Sequence, residues 1–274
     1  MNVRDYFGKP FKREAVGIEI EMEGLYVPAF PMNYWKCVKE GSLRGSGIEY
    51  VLKNPVKRQK VYFALKELHD KLLEKGAKFY ESDRTSIHIH LNISDIPVIK
   101  VFNIIFLYYL FERMLINYSG DSRKGNLFCL SNEEAERGLF LLRDACKNKN
   151  LNQLETDDIR YAGLNLKAIP EYGSLEFRTM RGTMDMGLIC HWIKILTLIY
   201  DFGLELEDPI NILEIFSNEG PKKLFDFVFK NQYNELKYNN WNRDILNSVR
   251  NLQYFIYSRI WNDFKPTIEP LIDI

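Results

Sequence analysis

The stretch Val16-Gly17-Ile18-Glu19-Ile20-Glu21-Met22-Glu23 alternates strictly between apolar and polar residues. Because side chains alternate across a β-strand, this pattern predicts a strand with one apolar face and one face that carries Glu19, Glu21 and Glu23. Neighbours on one face lie about 7 Å apart, so three such carboxylates repel one another unless a cation lies between them. A solvated strand is the alternative interpretation, since antiparallel sheets often have a charged outer face.

A second alternating stretch carries imidazoles. In Ser86–Ile93 every second residue is apolar, and His88, His90 and Asn92 share the opposite face. The chain has only four histidines, and two of them lie side by side here. Imidazole is a common metal ligand and can also donate to phosphate oxygens. The alternative is a pair of solvated surface histidines.

Two further predicted strands carry charge. In Ser174–Arg181 the side chains of Glu176 and Arg178 share one face, and in Gly47–Leu52 a single carboxylate, Glu49, interrupts an apolar run. Glu176 and Arg178 could form a simple surface ion pair, which contributes little stability. Taken together, the four strands supply carboxylates, imidazoles and an arginine. This set favours a hard cation such as Mg²⁺ or Mn²⁺ over Zn²⁺.

The order of the predicted elements indicates an α+β fold with a largely antiparallel sheet and helices on one side. A single domain is expected over residues 1–274, because no linker, repeat or low-complexity tract divides the chain. The other predicted elements are helices over 57–75, over 101–118 after Pro97, and from Ser131-Asn132-Glu133-Glu134 to about Lys147, a strand over Arg160–Lys167, and mostly helix from Met186 onward.

Composition narrows the class of protein. Hydrophobic residues make up 46% of the chain and aromatic residues 14%, which is enough to bury a large core and excludes global disorder. Lys+Arg and Asp+Glu both count 37, so an overall basic footprint for nucleic acid is absent and such a partner is not expected. Four cysteines without a CxxC pair exclude a thiolate zinc site and a dense disulfide framework.

The sequence favours a soluble cytoplasmic protein with no membrane partner. The most apolar segment, 101–118, is cut by Glu112 and Arg113 and is short for a bilayer, which needs about 20 apolar residues. The N-terminal residues have no apolar core of the kind found in signal peptides.

Several motifs, in this order, resemble the amidoligase family. These are carboxylate–amine ligases of the glutamine synthetase and glutamate–cysteine ligase superfamily, often carried by bacteriophages. The motifs are Gly17-Ile18-Glu19-Ile20-Glu21, then Ser42 through Gly47-x-Glu49 and Pro55, then Ser86 to Leu91, then Arg160-Tyr161-x-x-Leu164-Asn165, and last Leu175-Glu176-Phe177-Arg178 with Gly182-Thr183. They occupy residues 16–194, and a helical C-terminal region, 195–274, follows. The resemblance implies a glutamine synthetase-like catalytic domain, whose curved sheet is mostly antiparallel and carries helices on its outer face.

The resemblance also implies a two-metal site. Glu19, His88 and Glu176 would hold the metal nearest the ATP phosphates. Glu21 and Glu49 would hold a second metal nearer the acceptor carboxylate. The cofactors implied are ATP and Mg²⁺ or Mn²⁺.

The remaining roles implied by the resemblance concern nucleotide and substrate. His90 would contact the nucleotide phosphates, and Arg178 would bind the transferred phosphoryl group. Arg160 and Asn165 are candidates for nucleotide or substrate contacts. Arg178 and Glu176 are the residues expected to be catalytic.

Three functions are compatible with these residues. The first is an ATP-dependent ligase that forms an amide or peptide-like bond between a small-molecule or peptide carboxylate and an amine, through an acyl phosphate. An amine on a modified nucleobase is one option. The second is a metal-dependent nuclease or phosphohydrolase that uses the same Glu and His face. The third is a non-catalytic binding protein on a ligase scaffold. The oligomeric state is left open.

Overall fold

The computed structural model describes residues 1–11, 16–132, 137–230 and 232–265. The strands in these ranges are β1 (Val16–Tyr26), β2 (Trp35–Val38), β3 (Ile48–Leu52), β4 (Lys78–Tyr80), β5 (Ser86–Asn92), β6 (Leu164–Asn165) and β7 (Ser174–Arg181). The helices are α1 (Val3–Phe7), α2 (Val61–Glu74), α3 (Val98–Ser119), α4 (Arg137–Lys147), α5 (Ala168–Tyr172), α6 (Met186–Glu205), α7 (Ile210–Phe229) and α8 (Trp241–Ser258).

The strands form an open sheet with the order β2-β3-β1-β5-β7-β6, and β4 pairs with the end of β1. Every strand pair within the described ranges is antiparallel. The predicted α+β class and the mostly antiparallel sheet are therefore confirmed. β1 is the central strand, because it pairs with β3, β4 and β5.

The apolar face of the sheet is buried under the helices, as the alternation predicts. Ile18 of β1 and Ile89 of β5 are fully buried. On β7, the ring of Phe177 lies 5.2 Å from the ring of Tyr108 on α3. The opposite face of the same strands carries the charged residues.

α3 is the central helix of the core. It begins after Pro97, whose missing N–H costs nothing at a helix start. Its residues are buried on nearly all sides, since Phe106 packs against Phe255 of α8 and Phe111 packs against Phe229 of α7. A helix that is apolar all round requires such a covering on every face. The C-terminal helices therefore complete the core beneath the sheet.

The local differences from the sequence prediction have physical causes. Only Leu164–Asn165 of the predicted strand 160–167 is extended, because Ala162 bridges to Leu130 instead and a short 3₁₀ turn occupies Asp157–Ile159. β2 and β4 were not predicted, since both are short and all three residues of β4 are exposed. The predicted helix start at 131–134 falls partly outside the described residues.

One helix within the described ranges, α6, is long and apolar enough to cross a membrane by length and composition. Core helices of soluble proteins have the same length and composition, so this finding alone does not indicate a membrane span. α6 packs against α3, α7 and α2.

Candidate active site

Strand register brings the polar faces of four strands together. β1 lies between β3 and β5, and β5 lies between β1 and β7. Residues directly opposite each other in an antiparallel pair point to the same side of the sheet. The cross-strand pairs are Glu21 with Glu49, Glu19 with His88, and His90 with Glu176. Residues that are far apart in the chain thus form one cluster.

His88 lies at the centre of this cluster and is almost fully buried. Its Nδ1 lies 3.0 Å from Glu19 Oε2 and 3.6 Å from Glu176 Oε1. Its Nε2 lies 2.7 Å from the Ser86 hydroxyl and 3.8 Å from Glu21 Oε1. The same hydroxyl donates a hydrogen bond to Glu21. Three carboxylates therefore surround one imidazole.

His90 faces the edge of the cluster. Its Nδ1 lies 3.1 Å from Ser174 Oγ, and its Nε2 lies 3.5 Å from Glu19 Oε1. The Nε2 atom is buried and has no hydrogen-bond partner among the described residues. Gly17 lies directly opposite, where an added Cβ would approach the His90 Cβ to 3.2 Å. The missing side chain therefore gives this imidazole its space.

Both oxygens of Glu176 are already bonded. Arg178 Nη1 donates to Glu176 Oε1 at 2.6 Å, and Asn165 Nδ2 donates to Glu176 Oε2 at 2.7 Å. Burial alone would raise the pKa of Glu176, but the charges of Arg178, His90 and His88 outweigh it and hold the pKa below its usual value. Glu176 is therefore a carboxylate, and Arg178 is fixed beside it.

Two sets of side chains have ligand atoms within 4.8 Å of one another and could hold a metal ion. One set is Glu19, His90 and Glu176, and the other is Glu19, Glu49 and His88. This grouping differs from the one implied by the family resemblance, in which His88 joins Glu19 and Glu176 while His90 contacts phosphate. The donors are carboxylate oxygens and imidazole nitrogens, a set that fits Mg²⁺ or Mn²⁺.

The cluster holds more negative charge than its cations balance. Burial and the neighbouring charges of Glu19, Glu21 and Glu40 raise the pKa of Glu49 to about 8. Burial would raise the pKa of Glu19 as well, but His88 and His90 outweigh it, and its pKa lies well below the usual value. Near neutral pH Glu49 therefore holds a proton, which a bound divalent cation would replace.

An open cavity of about 440 Å³ adjoins the cluster. Glu19 and His90 line it on the cluster side, Lys36 and Lys53 supply positive charge, and Tyr172 supplies an aromatic wall. The Tyr172 ring meets the His90 ring edge-on at 5.9 Å. Elsewhere on the cluster, Glu21 lines a smaller cavity of about 50 Å³ with Tyr80 and Thr183.

Four sequence-predicted residues lie outside the larger cavity and the two metal sets: Glu21 and Arg178, which contact the cluster, and Asn165 and Arg160. Asn165 is buried and its amide donates to Glu176, and its contact with nucleotide or substrate stays a prediction. Arg160 is exposed and its guanidinium lies 4.5 Å from the centre of the Tyr161 ring. The geometry gives no support to a nucleotide contact by Arg160, and that role stays a prediction.

Sequence reasoning assigned no role to several residues that contact the cluster or line the cavity beside it. Ser86 shares the face of His88 and His90, so the same alternation could have identified it. Ser174 holds His90 from β7, and no pattern in the sequence signals that pairing. Lys36 lies on the unpredicted strand β2 and could not have been placed.

A family model described as "Putative amidoligase enzyme" matches residues 48–199, more than half of the chain. The chain belongs to the amidoligase family. The matched range contains Glu49, both histidines of the cluster, Glu176 and Arg178, whereas Glu19 and Glu21 precede it. β1 nevertheless places those two carboxylates in the same cluster as the amidoligase segment. No curated protein shows significant similarity to the chain.

Proposed function

We propose that this amidoligase is an ATP-dependent ligase that joins a carboxylate to an amine through an acyl phosphate, on a glutamine synthetase-like fold. The observation that carries the proposal is the convergence of Glu19, Glu49, His88, Glu176 and Arg178 on one sheet face beside an open cavity. Family membership supports a ligase-type reaction. The substrates proposed are a small-molecule or peptide carboxylate and an amine.

The donor set fits divalent cations, because the cluster combines carboxylates and imidazoles and its own cations do not balance its negative charge. Glu19, His90 and Glu176 would hold one ion, and Glu49 and His88, with Glu19 shared, would hold the other. Glu21 is within reach of the second group through His88. Mg²⁺ or Mn²⁺ would neutralise phosphate charge there.

The protein side chains have separate tasks. Arg178 is held by Glu176, and its Nε is buried without a hydrogen-bond partner among the described residues. Such a fixed guanidinium suits the charge that develops on a transferred phosphoryl group. Lys36, Lys53 and Tyr172 make the larger cavity suitable for a nucleotide, since they combine positive charge with an aromatic surface.

The reaction requires no protein nucleophile. The substrate carboxylate attacks the γ-phosphorus of ATP and ADP leaves. The amine nitrogen then attacks the acyl carbon, the C–O bond to phosphate breaks, and the amine proton passes to solvent or a base. Burial raises the pKa of the Cys129 thiol, which makes that residue a poor nucleophile.

The proposal is tested by an ADP-release screen that pairs amino acids and short peptides as carboxylate and amine with Mg²⁺ and ATP. Mass spectrometry identifies a condensed product. Glu176→Gln and Arg178→Met are expected to lose ADP release, whereas Arg58→Met, which breaks an ion pair with Asp201 outside the cluster, is the matched control. Cleavage of nucleic acid or phosphate esters without ATP, and no condensed product, would instead favour the hydrolase.

A further inference from the structure

β7 has an irregularity at Arg178. Between the regularly paired segments of β5 and β7, the two residues Arg178 and Thr179 lie opposite the single residue His88. Thr179 faces the core, where its hydroxyl bonds the Tyr108 hydroxyl, while Arg178 faces Glu176 on the opposite side. A bulge of this kind redirects a side chain but disrupts the local ladder of backbone hydrogen bonds.

Arg123 bonds the backbone of this bulge. Its Nε donates to Thr179 O at 3.0 Å, its Nη2 to Arg178 O at 3.0 Å, and its Nη1 to Thr85 O at 3.4 Å. The residue is 1% exposed. A buried guanidinium is costly unless its donors are bonded, and a buried carbonyl is costly unless it accepts. The guanidinium of Arg123 and the carbonyl groups of the bulge therefore satisfy each other's hydrogen bonding.

The loop that carries Arg123 is itself anchored. Asn126 Nδ2 donates to Asp83 O at 2.7 Å and to Ser122 O at 2.8 Å. The Cys129 thiol donates to Arg123 O at 3.6 Å. Arg123 is thus fixed between the turn before β5 and the bulge in β7.

We infer that Arg123 is a positioning residue, which holds the bulge so that Arg178 points at Glu176 and His88. Arg123 acts through Arg178, because its guanidinium hydrogen-bonds backbone carbonyls of the bulge and of Thr85. The inference rests on the proposed function only where nucleotide binding is the readout. The bulge and the direction of Arg178 are independent of it.

The first test is a crystal structure of Arg123→Met beside that of the wild type. The bulge is expected to close or shift, and the Arg178 guanidinium to leave Glu176. Arg178 unchanged on Glu176 would overturn the inference. If Arg123→Met does not fold, Arg123→Lys, which keeps the positive charge but carries its N–H donors on a single nitrogen and so cannot reach all three carbonyls, takes its place in the same comparison.

The second test measures the affinity for Mn²⁺-ATP by calorimetry in the wild type, Arg123→Met, Arg178→Met and the double variant. Arg123→Met is expected to weaken binding about 10- to 100-fold. In the Arg178→Met background the same change is expected to have little further effect, because it acts through Arg178. Equal losses in both backgrounds would indicate a merely structural role and reject the inference.

Arg181→Met is the matched control, because Arg181 lies on the same strand and donates to a carbonyl, Ser119 O, at 2.9 Å. It is expected to lower stability without changing Mn²⁺-ATP affinity. A wild type that does not bind Mn²⁺-ATP would reject the ATP proposal, and the crystallographic comparison would still decide the role of Arg123.

Discussion

The protonation of Glu49 is the clearest electrostatic property of the cluster. Its carboxyl group lies opposite Glu21 and is hydrogen-bonded to Glu19, and these charges together with burial raise its pKa to about 8. A surface carboxylate with neighbours of both signs would not behave in this way. A bound divalent cation would oppose this shift, and the pKa of Glu49 can be measured in metal-free protein without knowing any substrate.

Metal-free protein is expected to lose stability as pH rises from the usual glutamate pKa through about 8, because the folded state retains the Glu49 proton longer than the unfolded state. Glu49→Gln removes this dependence and is expected to stabilise the metal-free protein at pH 8 by about 1–3 kcal/mol. Urea unfolding in EDTA at several pH values measures the effect. If the free energy of unfolding depends on pH in the same way in the wild type and in Glu49→Gln, the raised pKa of Glu49 is contradicted.

Binding of Mn²⁺ at neutral pH is expected to release about one proton per protein molecule, because only the ion held by the set that contains Glu49 replaces the proton on that residue. Calorimetric titrations in two buffers with different ionisation enthalpies give the number of protons released. The Glu49→Gln variant is expected to release markedly fewer protons and to bind Mn²⁺ more weakly. An identical proton count in the variant would place the released proton on another group.

Alternation predicted the strands, but it could not predict how the strands are aligned. The period of two correctly gave β1, β5 and β7 one apolar and one polar face. The same period places Met180 beside Arg178, whereas the bulge turns Met180 into the core, where it is fully buried. The position of a bulge depends on tertiary contacts such as those of Arg123, and a single strand sequence does not contain them.

The sequence could not show which histidine lies beside which carboxylate, because that also depends on how the strands are aligned. His88 and His90 share one face, so either could join Glu19 and Glu176. The offset between β5 and β7 makes His90 the direct neighbour of Glu176, but His88 Nδ1 also lies 3.6 Å from Glu176 Oε1, and His88 can join Glu19 and Glu49 as well. Pattern and resemblance named the residues that converge, whereas the cross-strand register shows which of them are neighbours, and their roles as metal ligands stay a prediction.

The short strand β4 offers a test of how far the sheet tolerates change at the end of β1, where Tyr80 shares a small cavity with Glu21. An added Cβ at Gly24 would lie 2.1 Å from the Lys78 carbonyl oxygen, so Gly24→Ala forces β4 away from β1. The variant is expected to lose about 1–3 kcal/mol of stability. Gly41→Ala, where an added Cβ meets no atom within 4 Å, is the control.

Thermal unfolding of both glycine variants, with and without Mn²⁺, measures these losses. Because β4 lies beyond the paired Glu21 on β1, Gly24→Ala is expected to retain the stabilisation that Mn²⁺ provides. Loss of that stabilisation would show that β4 shapes the metal site.

At the scale of the whole molecule, the site depends on segments outside the family match. Residues 48–199 omit β1, which supplies two carboxylates and the centre of the sheet, and omit α7 and α8, which cover Phe111 and Phe106 of α3. The buried core extends from Val3 to Phe264 within the described residues. The amidoligase segment is therefore not expected to be a folding unit.

A fragment of residues 48–199 is expected to be unfolded or aggregated, because the apolar surface of α3 and of β5 would be exposed to water. Circular dichroism and size-exclusion chromatography beside the full chain test this expectation. A chain of residues 1–265, which keeps the buried core from Val3 to Phe264, is the control and is expected to remain folded. A monomeric, cooperatively unfolding 48–199 fragment would contradict the expectation.

The convergence of distant strands also has a consequence for the order of events during synthesis. Glu19 is made early, but Glu176 becomes its neighbour only when β7 has joined the sheet, after most of the chain has left the ribosome. Pairings of such long range form slowly, since the entropy of closing the intervening loop must be overcome first. Under the proposed function, a cation that needs both residues would bind only when the sheet is nearly complete. It would therefore stabilise the finished fold rather than initiate folding.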